Sequence, residues 1–189
     1  MNRDFTKVIE HTIRFEGGLS RHASDSAKEN TCPTSYKGKS GYHTNKGITY
    51  AVWKKKHGSG MDSHFFEMSN DEWLQFYMDY YDLVKGLQVK SDSISFFLTQ
   101  IAWGSGKKQA GLTVQRALNV LGHNLSVDGV IGTQTINAIN IADEKELFDM
   151  MITYRVEFFK KISTGKNSVF LKGWLRRLEE FRLLFRPEK

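Results

Sequence analysis

The stretch FTKVIEHTIRFEGG, Phe5 to Gly18, decides how the rest of the chain is read. Phe5, Val8, Ile9, Thr12 and Ile13 recur at helical spacing and form one apolar face. The Gly17-Gly18 pair ends that helix, because glycine takes up the backbone conformation that a helix terminus needs. Glu16 therefore stands in the last turn of an amphipathic helix, at the rim of a core. A carboxylate half-shielded in this way is suited to proton transfer. By position alone, a solvated surface glutamate is the commoner case.

Downstream, Leu19 to Gly47 has neither helical nor strand periodicity and is rich in Ser, Asn, Thr, Gly and Lys. It reads as a long polar loop, with room for a short β-hairpin. Loops longer than about 15 residues in a compact domain are usually functional or disordered. Asp25 lies in this loop, nine positions after Glu16. Two carboxylates facing each other across a cleft are the usual equipment for glycoside hydrolysis. An Asp in a turn also commonly bonds its own backbone. The segment Thr44-Asn-Lys-Gly-Ile-Thr49 closes the loop. Gly47 permits a tight turn or a close backbone approach. Thr49 is placed to cap a helix carrying Tyr50, Val52 and Trp53. Thr44 and Asn45 are candidates to bind a substrate hydroxyl or position a water.

The remainder reads as helical. The chain has only two prolines, Pro33 and Pro187, so nothing between them interrupts a helix. Ser69 and Glu72 are spaced as a capping box that opens a helix with Trp73, Phe76, Tyr77, Tyr80 and Tyr81. Further stripes are Ile94, Phe97, Leu98 and Ile101, then Val114, Ala117, Leu118 and Leu121. Leu147, Met150, Met151, Tyr154 and Phe158 make a long one, and Leu171, Trp174, Leu175, Leu178 and Phe185 close the chain. Lys85 to Asp92 reads as the weakest joint. The expectation is a mainly α protein of two helical lobes, 1–88 and 89–189, packed as one compact unit. Asp128-Gly-Val-Ile-Gly132 reads as a structural turn before a helix start, and Trp103 as a core tryptophan or a sugar-stacking face.

Composition narrows the class. With 40% hydrophobic and 25% charged residues over 189 positions, the chain is globular rather than disordered. A single cysteine, Cys32, excludes a disulfide scaffold, and six scattered histidines give no zinc-finger spacing. No metal site and no cofactor are expected. The net charge of +6 favours anionic partners without choosing among them. Basic residues do not gather on a recognisable module, and the run Lys54-Lys-Lys56 reads as a solvated helix face, so no nucleic-acid partner is expected. No apolar run approaches the roughly 20 residues needed to span a bilayer, so no membrane insertion is expected. Residues 1–15 carry charges throughout and do not read as a signal peptide.

Taken in order, Glu16-Gly-Gly18 and Thr44-Asn-Lys-Gly-Ile-Thr49 resemble the signature of glycoside hydrolase family 108. These are lysozyme-like N-acetylmuramidases of phage endolysins and of bacterial proteins labelled secretion activators. Val114-Gln-Arg-Ala-Leu118, Asp128 to Thr135, Arg155 with Phe158 and Phe159, and Gly173-Trp174 with Arg177 resemble that family's C-terminal peptidoglycan-binding region. The resemblance covers roughly residues 4–180 and implies a lysozyme-like fold. It implies Glu16 as catalytic acid, with Asp25 and Thr44 in the second catalytic role. Thr31 is a rival to Thr44, because Glu16, Asp25 and Thr31 match the spacing of phage lysozymes of a related fold. Asn45, Gly47, Thr49, Tyr50 and Trp103 become candidate substrate contacts.

The implied partner is the peptidoglycan glycan strand, cleaved between N-acetylmuramic acid and N-acetylglucosamine. The implied protein is a monomer acting in the periplasm or cell wall after non-classical export or lysis. Three departures stand out: a longer loop between Asp25 and Thr44, Lys46 in place of an aromatic, and Gln100 and Gly104 in place of an Asp and an Asn. They motivate the alternative of a catalytically inactive peptidoglycan-binding or secretion accessory protein.

Overall fold

The computed structural model describes residues 3–22 and 26–188. It is mainly helical, with one two-stranded antiparallel sheet among the described residues. Two compact units divide it. One is residues 5–76, called here the hairpin unit, and the other joins residues 3–4 to 77–188, called here the helical unit. The boundary falls inside the helix Asn70–Leu83.

In the hairpin unit, α1 spans Thr6–Glu16 and buries Val8, Ile9, His11 and Thr12. It stops at Gly17, whose φ of 69° lies where residues with a side chain are disfavoured. The polar tract then makes one 3₁₀ turn, Ser26–Glu29, and an isolated bridge from Tyr36 to Lys39. It leads into strands β1 (Thr44–Asn45) and β2 (Ile48–Thr49). Helix α2 (Tyr50–His57) follows, and Thr49 caps it by accepting the Val52 amide. Helix α3 (Asp62–Phe66) and α4 (Asn70–Leu83) come next. The capping box is formed in both directions. The Glu72 amide donates to Ser69 Oγ at 3.1 Å, and the Ser69 amide donates to Glu72 Oε2 at 2.8 Å. The core is aromatic: Trp53 stacks on Phe76 at 5.8 Å and meets Phe65 edge-on at 6.0 Å.

The loop is held by that same core. Tyr36 stacks on Phe66 at 4.9 Å, and Tyr42 meets the same ring edge-on at 5.8 Å. Cys32 is buried, and its amide donates to Tyr42 O at 2.7 Å. Burial pushes the Cys32 thiol pKa up, as expected of an inert structural cysteine. The part of the tract from Cys32 to Tyr42 is thus held by three non-consecutive anchors.

The helical unit contains α5 (Asp92–Ser105), α6 (Lys107–Val120), α7 (Thr133–Ile141), α8 (Glu144–Ile162) and α9 (Leu171–Phe185). Helix α5 packs on α6 and α8, and α8 packs on α6 and α9. Phe97, Phe148 and Phe181 form the centre, with Phe97 at 5.2 Å from each of the other two. The α8 stripe corrects the sequence reading. Its inward residues are Leu147, Phe148, Met151 and Arg155, whereas Met150, Tyr154 and Phe158 are only half-buried.

The segment from Lys85 to Asp92 is a second correction. Arg3 donates to Gly86 O at 2.6 Å and to Lys90 O at 3.3 Å. It also bonds Tyr81, Val89 and Asp92. Asn140 holds Gln88 O and the Lys90 amide at 2.8 Å each. Val84 and Val89 are fully buried. This segment lies within the helical unit, and a residue far away in sequence ties it.

Candidate functional site

The site is assembled by one backbone event. After α1 and the two glycines, Ser20 bridges to Thr44. The Ser20 amide donates to Thr44 O at 2.8 Å, and the His43 amide donates to Ser20 O at 3.0 Å. This bridge lays the C-terminal end of α1 beside the hairpin. In the hairpin Thr44 pairs with Thr49 and Asn45 with Ile48, leaving Lys46 and Gly47 as a two-residue turn. Both have positive φ, 47° and 79°, as a turn matching the right-handed strand twist requires.

Gly47 performs both tasks foreseen for it. It supplies the positive φ, and it admits Glu16. A Cβ at position 47 would lie 2.6 Å from Glu16 Oε2 and 3.1 Å from its Cδ. The half-buried Glu16 carboxylate thus rests on the bare α-carbon of the turn. Two side chains fix the turn from below. Trp73 Nε1 donates to Lys46 O at 3.0 Å, and Lys46 Nζ donates to Met68 O at 2.6 Å. Lys46 is therefore a strut.

The other predicted residues separate by environment. Thr44 is half-exposed, with its hydroxyl 3.0 Å from His43 Nδ1. Thr31 is exposed. Asn45 is buried, and its amide donates to Phe65 O at 2.6 Å and to Phe66 O at 3.3 Å. Tyr50 is buried, and its hydroxyl donates to Asp62 Oδ1 at 2.6 Å. Burial first, and then Asp62, holds the Tyr50 pKa well above the usual phenol range. In this arrangement Asn45 and Tyr50 are almost fully buried and hold the hairpin to α3. Thr49 is occupied as the α2 cap. Asp25 lies outside the described residues. Trp103 belongs to the helical unit, half-buried beside Tyr80 at 5.0 Å and Tyr77 at 6.2 Å.

Sequence reasoning passed over His43, which is buried and holds Thr44 on one side and His22 O, at 3.3 Å, on the other. Nothing local marks it, because a lone histidine in a polar loop has no pattern. In the helical unit, the turn Asp128 to Gly132 is clasped by Gln115. Gln115 bonds Asp128 Oδ1 and the Gly129 amide at 2.8 Å each, and Val130 O at 3.0 Å. The Val130 amide, then Gln115, holds the Asp128 carboxyl below its usual pKa. This turn is structural.

Residues 9–106 match the family described as Glycosyl hydrolase 108, and residues 109–179 match the one described as Predicted Peptidoglycan domain. The solved structure of SagA from Brucella abortus is 23% identical, covers 98% of this chain and 97% of its own, and superposes with a TM-score of 0.70. That likeness fixes the fold as the mainly helical, lysozyme-like one anticipated from the motifs. No curated protein matches the sequence significantly. No helix among the described residues is long and apolar enough to cross a membrane. With its N-terminal half and α5 inside one family match and the following helices inside the other, the chain belongs to the glycosyl hydrolase 108 family, a peptidoglycan-directed glycosidase acting at the cell wall.

Proposed function

We propose that the protein hydrolyses the β-1,4 bond between N-acetylmuramic acid and N-acetylglucosamine, with Glu16 as general acid. The observation that carries this reading is the seat of Glu16. It is a half-buried carboxylate on a helix end, laid against the backbone of a glycine turn. Glu16 gives its proton to the glycosidic oxygen as the C1–O bond breaks, and the bonding pair leaves with that oxygen. A water then adds to the oxocarbenium-like C1 and gives up a proton to a carboxylate, either the second one, for which Asp25 is the candidate, or the now ionised Glu16. Thr44 is the candidate to orient that water, a reading supported by its partial exposure and by its hydroxyl's contact with His43. Asp25 keeps its proposed role as second carboxylate on its spacing alone.

The test compares the protein and its Glu16→Gln variant on isolated peptidoglycan, with soluble fragments identified by mass spectrometry. Fragments with a reducing N-acetylmuramic acid end, absent from the variant, are expected. Absence of fragments from both proteins, with both still sedimenting with the wall, would support the accessory-protein reading instead.

A further inference from the structure

The charge of the chain is unevenly spread. Residues 158–178 hold six of its 27 lysines and arginines, Lys160, Lys161, Lys166, Lys172, Arg176 and Arg177, and no acid. The rest of the chain carries 21 basic and 21 acidic residues, so this stretch holds the whole net charge of +6. The fold gathers it at one corner of the helical unit. Helix α8 ends at Ile162, a 3₁₀ turn runs over Gly165–Phe170, and α9 starts at Leu171 and packs back on α8. Lys160, Lys161 and Lys172 are exposed, and no ion pair among the described residues involves them. Arg176 and Arg177 are engaged by Glu180 at 3.6 Å and Gln100 at 3.2 Å, so the lysines are the charges open to a partner.

Helix stability accounts for only part of this charge. Lys160 and Lys161 lie in the last turn of α8, where the helix dipole favours cations. Lys172 lies in the first turn of α9, where it favours anions, and that turn holds no acid. Apolar surface stands out at the same corner: Val169 is 75% exposed and Phe170 53%. Phe170 stacks on Trp174 at 5.9 Å and Trp174 on Phe159 at 5.4 Å, so the exposed ring is braced from within the unit. Single exposed apolar side chains are ordinary. Two adjacent ones at a chain reversal, with open lysines on both helix ends, match a surface that lies on an anionic bilayer. The ammonium groups meet lipid phosphates, their stems cover apolar surface, and Val169 and Phe170 enter the boundary of the acyl chains. A nucleic acid would engage the lysines but has no apolar phase to receive Val169.

We propose that the α8–α9 corner, with exposed Val169 and Phe170 between the lysines of the two helix ends, is a docking surface for an anionic phospholipid bilayer. The protein adsorbs on the membrane and does not cross it, since no described helix is long and apolar enough to do so. Charge complementarity and the apolar pair together set the partner, and neither rests on Glu16 or on the bond proposed above.

The experiment sediments the full chain with vesicles of equal parts phosphatidylglycerol and phosphatidylcholine, and with vesicles of phosphatidylcholine alone, at one ionic strength. Binding to the anionic vesicles only is expected. Lys160→Gln with Lys172→Gln should weaken the partition coefficient on the order of 20-fold, about fivefold per lysine at an anionic surface. Lys54→Gln with Lys55→Gln removes the same charge from exposed positions of α2 and should leave binding nearly unchanged. Val169→Ser with Phe170→Ser keeps every charge and should weaken binding about tenfold or more. All six positions are exposed, and unfolding curves check that each variant is folded. Equal losses from the two lysine pairs overturn the proposal, because the attraction is then to overall charge. Binding indifferent to Val169→Ser with Phe170→Ser, no binding to anionic vesicles, or preference for a DNA duplex over them overturns it as well. None of these results bears on Glu16, whose role is read from fragment release by the parent protein.

Discussion

The carboxylate of Glu16 is seated on the α-carbon of Gly47, so that the helix end and the hairpin turn share one contact that a Cβ at position 47 would displace. Gly47→Ala places a methyl 2.6 Å from Glu16 Oε2 and forces alanine to a φ of 79°. The backbone conformation alone costs roughly 1–2 kcal/mol. Displacement of the carboxylate should lower the rate of peptidoglycan solubilisation on the order of 10²-fold. Gly18→Ala is the control, because nothing lies within 4 Å of a Cβ there, and its unfolding curve should be unchanged. Equal activity of the Gly47→Ala variant and the parent would show that the contact does not position the acid.

Asn45 stands between two roles that a single variant separates. Asn45→Ala removes the bonds to Phe65 O and Phe66 O and leaves buried carbonyls unpaired. The expected loss is about 1–3 kcal/mol in urea unfolding. A rise in KM with unchanged stability would instead make Asn45 a substrate contact.

Part of the acid sensitivity should trace to the capping box. Glu72 is held below its usual carboxylate pKa, first by the Ser69 amide and also by the Ser69 hydroxyl and His64. A lowered folded pKa stabilises the protein above the unfolded value, about 4.3, and the gain is lost as pH falls through the folded value. The stability difference between the parent and Glu72→Gln should therefore be full at neutral pH and vanish in strong acid. Ser69→Ala should cost roughly 1 kcal/mol. Chemical denaturation across the pH range reads both.

Tyr36 pins the long loop. Tyr36→Ala loses the stacked contact with Phe66 at 4.9 Å, worth roughly 0.5–1.5 kcal/mol beyond buried area. Limited proteolysis should then cut faster between residues 26 and 43, with the helical unit untouched. Unchanged cutting would mean that Cys32 and Tyr42 hold the loop without Tyr36.

Gln115 is the clasp of the turn before α7. Gln115→Ala forfeits bonds to Asp128, Gly129 and Val130, a loss of about 2–4 kcal/mol for the set. The Asp128 carboxyl should also move upward toward its ordinary pKa, which an NMR titration of its side chain detects.

Local patterns were readable where their physics is local. The α1 face, its stop at Gly17, the Ser69–Glu72 box, the Thr49 cap and the Lys46-Gly47 turn each depend on residues within a few positions of one another. The stripe of α8 was misjudged because Arg155 is charged, and periodicity counts only apolar residues as inward. Lys85 to Asp92 looked weak for a related reason. Its stability comes from Arg3 and Asn140, whose side chains say nothing about their partners until the chain has folded.

The candidate site divides in the same way. The sequence alone determined the end of the first helix at Glu16, the tight turn at Gly47 and the helical class, because capping, turn conformation and amphipathic spacing are short-range and nearly independent of context. Only the tertiary structure decided that Gly47 is the seat of Glu16, that Asn45 and Tyr50 face the core, and that Arg155 lies buried. Those outcomes depend on which distant surfaces exclude water together, and burial of that kind is a property of the packed chain rather than of any segment in it.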